Sequence, residues 1–134
     1  LKEKSDNLYI STDDGSYGYH GFVTEILQDN IDKGKKYDHI LAIGPIIMMK
    51  NVVEVARPYK IPITVSMNST MVDGTGMCGC CRISVDGKMK FACIDGPDFD
   101  GYKIDFNEAM NRSRAYVTEE RDHVCNLTGE VRHG

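Results

Sequence analysis

Hydrophobic positions divide the chain into two regimes that meet near residue 67. Before it, short apolar runs alternate with stretches of helical spacing. Leu8-Tyr-Ile-Ser-Thr12 is a β-rich run that ends in the turn signal Asp13-Asp14-Gly15-Ser16. Phe22, Val23, Ile26, Leu27 and Ile31 then recur at helical spacing, and Gly34 marks the helix end. His39-Ile-Leu-Ala-Ile43 is continuously apolar, the pattern of a strand buried on both faces. It runs into Gly44-Pro45, where proline fits the first turn of a helix. Ile46, Met49, Val52, Val53 and Ala56 form that helix's buried stripe, and Arg57-Pro58 stops it. Ile61-Pro-Ile-Thr-Val-Ser66 is the next strand, with Pro62 tolerated only near its start or on an edge.

This β-α-β-α-β order predicts an α/β fold with a partial Rossmann-like parallel sheet over residues 1–68. Three strands make a small sheet for such a domain, so the chain is expected to be part of a larger polypeptide.

Beyond residue 67 the pattern changes. Glycines 74, 76 and 79 line a loop. Arg82-Ile-Ser-Val85 and Lys88-Met-Lys-Phe-Ala92 flank Asp86-Gly87, which predicts a β-hairpin with a type I′ turn. Asp95 to Gly101 reads as a second turn-rich stretch. A last helix is predicted from Asp105, with Glu108 three residues on as a capping box. Its apolar face comprises Phe106, Ala109, Met110, Tyr116 and Val117. These features divide the remainder into a small lobe, 69–104, and a C-terminal helix and tail, 105–134.

Charge and composition narrow the function. The net charge is −4 and the pI about 5.5, which argues against nucleic acid as a partner. The basic run Lys33, Lys35, Lys36 reads as a solvated helix end. No apolar run approaches the ~20 residues of a membrane span, and Leu1-Lys-Glu-Lys-Ser-Asp6 lacks a signal-peptide core. A cytoplasmic location is expected.

The cysteines carry the chemistry. Four of the five, Cys78, Cys80, Cys81 and Cys93, fall within one short stretch, and none precedes residue 78. An odd, clustered set is unlike a disulfide framework and points to a local metal site. Cys78, Cys81 and Cys93 are spaced C-x₂-C-x₁₁-C. Adding Asp73 gives the spacing of a [2Fe–2S] loop whose first thiolate is replaced by a carboxylate. The rival fourth ligand is Cys80, although adjacent Cys80 and Cys81 tend to point in different directions. A zinc-stapled, non-enzymatic interaction module is the alternative from another class, but Cys₄ zinc sites usually show two close pairs. Cys125, beside His123, reads as an ordinary thiol, and His20 and His39 as surface or turn histidines.

Three stretches resemble a known group: Thr12 to Thr24, Ala42-Ile-Gly-Pro-Ile-Ile-Met-Met-Lys50, and Met71 to Arg82 with Phe91-Ala-Cys-Ile-Asp-Gly-Pro97. The similarity covers about residues 8–121. The chain resembles the C-terminal part of the small subunit of NADH-dependent ferredoxin:NADP oxidoreductase, also known as sulfide dehydrogenase, and more distantly the dihydroorotate dehydrogenase electron-transfer subunit. Both are ferredoxin-NADP-reductase-like. The resemblance implies an electron-transfer subunit that passes electrons between NAD(P)H, FAD and a [2Fe–2S] cluster to a larger flavin and iron–sulfur partner subunit. It implies that the flavin barrel and the first pyrophosphate-binding turn lie outside this chain, and that the chain alone lacks reductase activity. Gly44, Pro45 and Met48 match the second nucleotide motif, with Ile43 where many reductases have cysteine. Asp13 and Gly15 are candidate cofactor contacts, although Gly15, Gly18 and Gly21 lack phosphate-loop spacing and read as a mobile loop. Asp73 is implied as a cluster ligand with Cys78, Cys81 and Cys93, aspartate here being the mark of the oxidoreductase subunit where the dihydroorotate relative has cysteine. Cys80 departs from the small residue usual in this group.

Overall fold

A computed structural model of the chain describes residues 3–115; Tyr116, Val117, His123 and Cys125 lie outside the described residues. The elements run β1 (Ser11–Thr12), β2 (Tyr19–His20), α1 (Val23–Asp32), β3 (Ile40–Ile43), α2 (Ile46–Ala56), β4 (Ile63–Ser66), β5 (Arg82–Val85), β6 (Lys88–Phe91), α3 (Ala92–Asp95), β7 (Asp98–Asp100) and α4 (Phe106–Ser113). The fold is mixed α/β, as the alternation predicted.

The sheet differs from the expected parallel one. Its order is β3-β4-β7, with β3 and β4 parallel and β7 antiparallel to β4. The third strand comes from the Asp95–Gly101 stretch and not from residues 8–12. Residues 11–12 instead pair with 19–20 in a separate two-stranded ribbon. The reason is local satisfaction of the backbone. Tyr19 N–H donates to the Ile10 carbonyl at 2.8 Å, and the Thr12 hydroxyl donates to the Tyr17 carbonyl at 3.0 Å. Gly18 permits this closure: its φ is +76°, and a Cβ there would stand 2.3 Å from the Ile10 oxygen.

Helix α2 packs on one face of the sheet and contacts both α1 and α4. Met49, Val52, Val53 and Ala56 meet Ala42, Ile63 and Val65 there. Gly101 lies close against the same layer: a Cβ on it would come 2.8 Å from Val53 Cγ2. Strand β4 alternates buried and half-buried positions, with Ile63 and Val65 inward. The expectation that residues 39–43 are buried on both faces fails. Leu41 is 58 % and Ile43 66 % exposed. In register, Leu41 pairs with Thr64 and Ile43 with Ser66, on the face away from the core, and β3 is an edge strand. Continuous apolarity therefore records two faces, of which the described residues cover one.

The remaining elements follow their local chemistry. The 82–91 hairpin pairs Val85 with Lys88 across Asp86 (φ 54°) and Gly87 (φ 70°), as a type I′ turn requires. Pro45 is the residue before α2 and not its first turn, and a 3₁₀ turn over Arg57–Tyr59 extends the helix beyond its expected stop. Asp105 caps α4 by accepting from the Glu108 N–H at 3.0 Å. The Asp105 N–H itself donates to the Ser84 carbonyl at 3.0 Å, so the second half of the capping box is replaced by a tie to β5.

Candidate metal centre

The cysteine loop hangs between the end of β4 and the start of β5, and the hairpin brings the chain back to it. Arg82 pairs with Phe91 at the hairpin root. Cys81 and Cys93 flank that pair, and the Ala92 N–H donates to the Cys81 carbonyl at 3.1 Å. Cys93 sits in the one-turn helix α3, between the expected strand that ends at Ala92 and the turn-rich stretch expected from Asp95. The helix starts immediately after β6, so its first residues face back toward the root of β5.

Two groups of donors result. In the first, the Sγ atoms of Cys81 and Cys93 lie 3.3 Å apart, and the Cys93 N–H points at the Cys81 sulfur at 3.5 Å. That separation exceeds the ~2.05 Å of a disulfide. It lies near the about 3.8 Å expected for two thiolates on one tetrahedral metal with ~2.3 Å bonds. Cys81 is buried, at 2 % exposure. Burial alone would push its thiol up, but the N–H of Cys93, its side chain and other backbone donors outweigh this and hold Cys81 below the usual thiol range. Cys93 moves the other way, because it donates to Cys81.

In the second group, Asp73 interacts with Cys78, and Cys78 with Cys80. The Asp73 carboxylate accepts the Thr75 N–H at 2.9 Å; this bond, more than its Cys78 contact, holds Asp73 below the ordinary carboxylate range. Cys80 is held above the ordinary thiol range, first by its hydrogen bond with Cys78 and then by desolvation and the charges nearby. Gly76, between the groups, has φ +81°, its backbone bonds toward Cys93, and a Cβ there would meet Ile94. Glycine takes that left-handed backbone without strain.

The donor types fit a binuclear iron–sulfur cluster: sulfur donors with one carboxylate in a glycine-rich loop, where the Cys93 N–H faces the Cys81 sulfur. Among the described residues, no three His, Cys, Asp or Glu side chains converge as they would on a single ion. The structure brings Cys81 against Cys93; the Cys78 thiol influences the titration of both Asp73 and Cys80. A contributor that sequence reasoning missed is Arg112 of α4, whose guanidinium donates to the Cys80 carbonyl at 3.3 Å. It lies 32 residues from Cys80, and no local pattern signals the contact.

The other predicted contacts sit elsewhere. Gly44 and Pro45 lie where β3 meets α2, at the edge where α/β sheets place ligands. The Met48 side chain reaches over Gly44, its Cε 2.3 Å from where a Cβ would stand. Asp13 and Gly15 are exposed in the turn between β1 and β2, where Gly15 N–H donates to the Thr12 carbonyl at 3.3 Å. His39 is exposed and shares a hydrogen bond with Thr64, and His20 is exposed on β2. No described helix is long and apolar enough to cross a membrane.

Comparison with known proteins also points to iron–sulfur chemistry in this stretch. Residues 68–105 match the iron–sulfur cluster binding domain of dihydroorotate dehydrogenase B. An uncharacterized protein of the adh 3′ region of Clostridium beijerinckii is 50 % identical over 121 residues, which is 90 % of this chain and 41 % of that protein. The dihydroorotate dehydrogenase B electron transfer subunit homolog of Thermotoga maritima is 48 % identical over 121 residues, 42 % of its length. A chain in a structure of the NADH-dependent reduced ferredoxin-NADP oxidoreductase, solved in connection with flavin-based electron bifurcation, superposes with a TM-score of 0.81 at 44 % identity. That match covers 93 % of this chain and 45 % of the other. The chain thus spans less than half the length of the relatives it matches. By sequence and fold, the chain is a partial-length relative of dihydroorotate dehydrogenase B electron-transfer subunits and of the NADH-dependent reduced ferredoxin-NADP oxidoreductase, with the iron–sulfur-binding part of that group at residues 68–105.

Proposed function

We propose that this chain is the [2Fe–2S]-bearing part of an electron-transfer subunit in an iron–sulfur flavoprotein oxidoreductase. The observation that supports this most is the Cys81–Cys93 thiol pair inside the stretch that matches an iron–sulfur cluster binding domain. Asp73, Cys78, Cys81 and Cys93 are the proposed ligands. When bound, such a cluster takes up and gives away single electrons.

The chain's own residues supply the setting. Cys81 is buried and faces the Cys93 N–H, which shifts its thiol downward, toward the form that ligates. The Gly76 backbone bonds toward Cys93. Gly44, Pro45 and Met48 form the proposed contact for NAD(P)H, with Asp13 and Gly15 as further cofactor contacts. FAD is assigned mainly to protein beyond this chain. A larger flavin and iron–sulfur subunit is the proposed electron partner. On this reading the isolated chain has no reductase activity.

The similarity to the Thermotoga maritima homolog supports a second reading, a dihydroorotate dehydrogenase electron-transfer subunit. The residue at 73 favours the first, because the resemblance ties aspartate there to the ferredoxin:NADP oxidoreductase. The test is anaerobic purification of the chain, with iron, acid-labile sulfide and zinc analysis and EPR after reduction. Two irons and two sulfides per chain with a reduced-cluster signal are expected. A colourless protein holding one zinc would replace the redox reading with the interaction module.

A further inference from the structure

A cavity of about 370 Å³ lies between the 68–72 segment, the start of α2, strand β5 and helix α4. Its walls are chemically divided. Ile46, Ile83 and Ala109 form an apolar floor. Arg82 and Arg112 both line it, with the hydroxyl-bearing Ser69 and Thr70 beside them; Ser113 also lines it, but its hydroxyl donates to the Met110 carbonyl at 2.9 Å. No aspartate or glutamate lines it. The ion pairs among the described residues use Lys33, Arg57, Lys90 and Lys103, and neither of these two arginines.

We propose that this cavity is an anion-binding site, which takes the carboxylate or phosphate group of a small molecule between Arg82 and Arg112. Guanidinium is suited to this, because its planar fork matches an oxyanion in two parallel hydrogen bonds. The apolar floor excludes water from one side of the group and so strengthens its attraction to the cations. It also offers surface to an apolar body attached to the anion. The volume sets the size class. Small-molecule pockets run from roughly 300 to 1,000 Å³, so this one suits a compact acid or monophosphate and is too small for a whole dinucleotide. The site is therefore distinct in capacity from the Gly44–Pro45 edge, although Ile46 borders both.

The position gives the anion a consequence. Arg112 already donates to the Cys80 carbonyl, and Cys80 lines the same cavity. An anion seated on Arg112 shares that guanidinium with the cysteine loop and fixes its orientation. Binding at this site is then felt at residue 80.

The proposal does not rest on the cluster assignment, because its first readout needs no iron. The full chain is titrated with inorganic phosphate and, separately, with benzoate, and followed by heteronuclear NMR. Saturable shifts at Ser69, Thr70, Cys80 and the two arginine side chains are expected, with the two probes competing and benzoate the tighter for its buried ring. Arg82→Ala and Arg112→Ala should each weaken both probes by about tenfold or more, the loss of one charge-assisted pair. Arg112→Lys should fall between, keeping the charge without the fork. Should Arg112→Ala fail to fold, Arg82→Ala and Arg112→Lys carry the same comparison. Non-saturable shifts, or affinities unchanged in the Arg82→Ala and Arg112→Lys proteins, would overturn the site.

Discussion

Cys81 and Cys93 meet across the root of the 82–91 hairpin, their sulfurs 3.3 Å apart. The contact is a product of register. Arg82 pairs with Phe91, so the residues just outside that pair are brought to the same end of the ladder. The one-turn helix that follows β6 then directs Cys93 inward. Eleven residues separate the two in sequence, and nearly all of them are spent on the hairpin that joins them.

Cys81→Ser and Cys93→Ser should each lose most of the bound iron. A serine at either position leaves one soft donor where the proposed site needs two. Retention against a chelator should fall by at least about tenfold, since even substitutions behind a ligand cost 10–100-fold. Iron analysis and the EPR signal of the reduced protein measure this. Unchanged iron in both variants would remove the pair from the site.

Asp73 is the proposed fourth ligand and Cys80 its rival, and the titration of both is influenced by Cys78. Asp73→Ala is expected to lower cluster occupancy, while Cys80→Ala leaves it near the unsubstituted level. Asp73→Cys should restore occupancy with an altered EPR line shape, because a thiolate replaces a harder carboxylate. The reverse ordering of the two alanine variants would make Cys80 the ligand.

Gly76→Ala should destabilise the loop. The backbone there has φ +81°, and the new Cβ would come 2.0 Å from Ile94 Cδ1. The Ile94 side chain is the flexible end of that contact and can move aside. The left-handed backbone cannot, and costs about 1–2 kcal/mol for a residue with a Cβ. A second substitution, Ile94→Ala, should therefore recover only part of the loss, as read from denaturant midpoints.

How much of this was legible beforehand depended on how local each feature is. The 82–91 hairpin, the α2 stripe and the Asp105 cap are each set by residues within a turn or two, and the structure has them; of the α1 stripe, Leu27 and Ile31 join the core while Phe22 and Val23 are exposed. Of the candidate ligands that spacing and resemblance suggest, Cys81 and Cys93 are in contact, while Asp73 and Cys78 lie in the same loop outside that pair. The sheet was less legible. A β-rich run at 8–12 can join a sheet or close on itself, and a tight approach of Gly18 to the Ile10 carbonyl decides for the second. Strand β7 was hidden because Asp98 and Asp100 face away from the core and only Phe99 carries a strand signal. Arg112 reaches the Cys80 carbonyl through the packing of α4 on β5, a contact no sequence window contains.

Tyr102 anchors the return from β7. Its hydroxyl donates to the Ile61 carbonyl at 2.6 Å, and burial raises its pKa. Tyr102→Phe removes the donor and leaves that carbonyl without this partner. A loss of about 1 kcal/mol is expected, with little change in iron content, because the contact lies at the start of β4 and away from the cysteine loop. Thermal and urea unfolding check the first expectation and metal analysis the second.

Asp105→Ala separates stability of the scaffold from chemistry of the loop. The Asp105 carboxylate accepts the Glu108 N–H at 3.0 Å, and its loss should cost about 1 kcal/mol, within the ~0.5–2 kcal/mol of N-cap removals. Asp105→Asn keeps an acceptor and should recover most of it. Helix α4 also carries Arg112, so fraying of its first turn is transmitted only if the helix loosens as a whole. The Asp105 N–H still donates to the Ser84 carbonyl in the alanine protein, which ties the helix start to β5 independently of the side chain. The expected outcome is a lower unfolding midpoint with the Cys80 environment unchanged, as seen in its NMR shifts. A shift at Cys80 as large as that in Arg112→Ala would mean that the cap, and not the arginine alone, positions the loop.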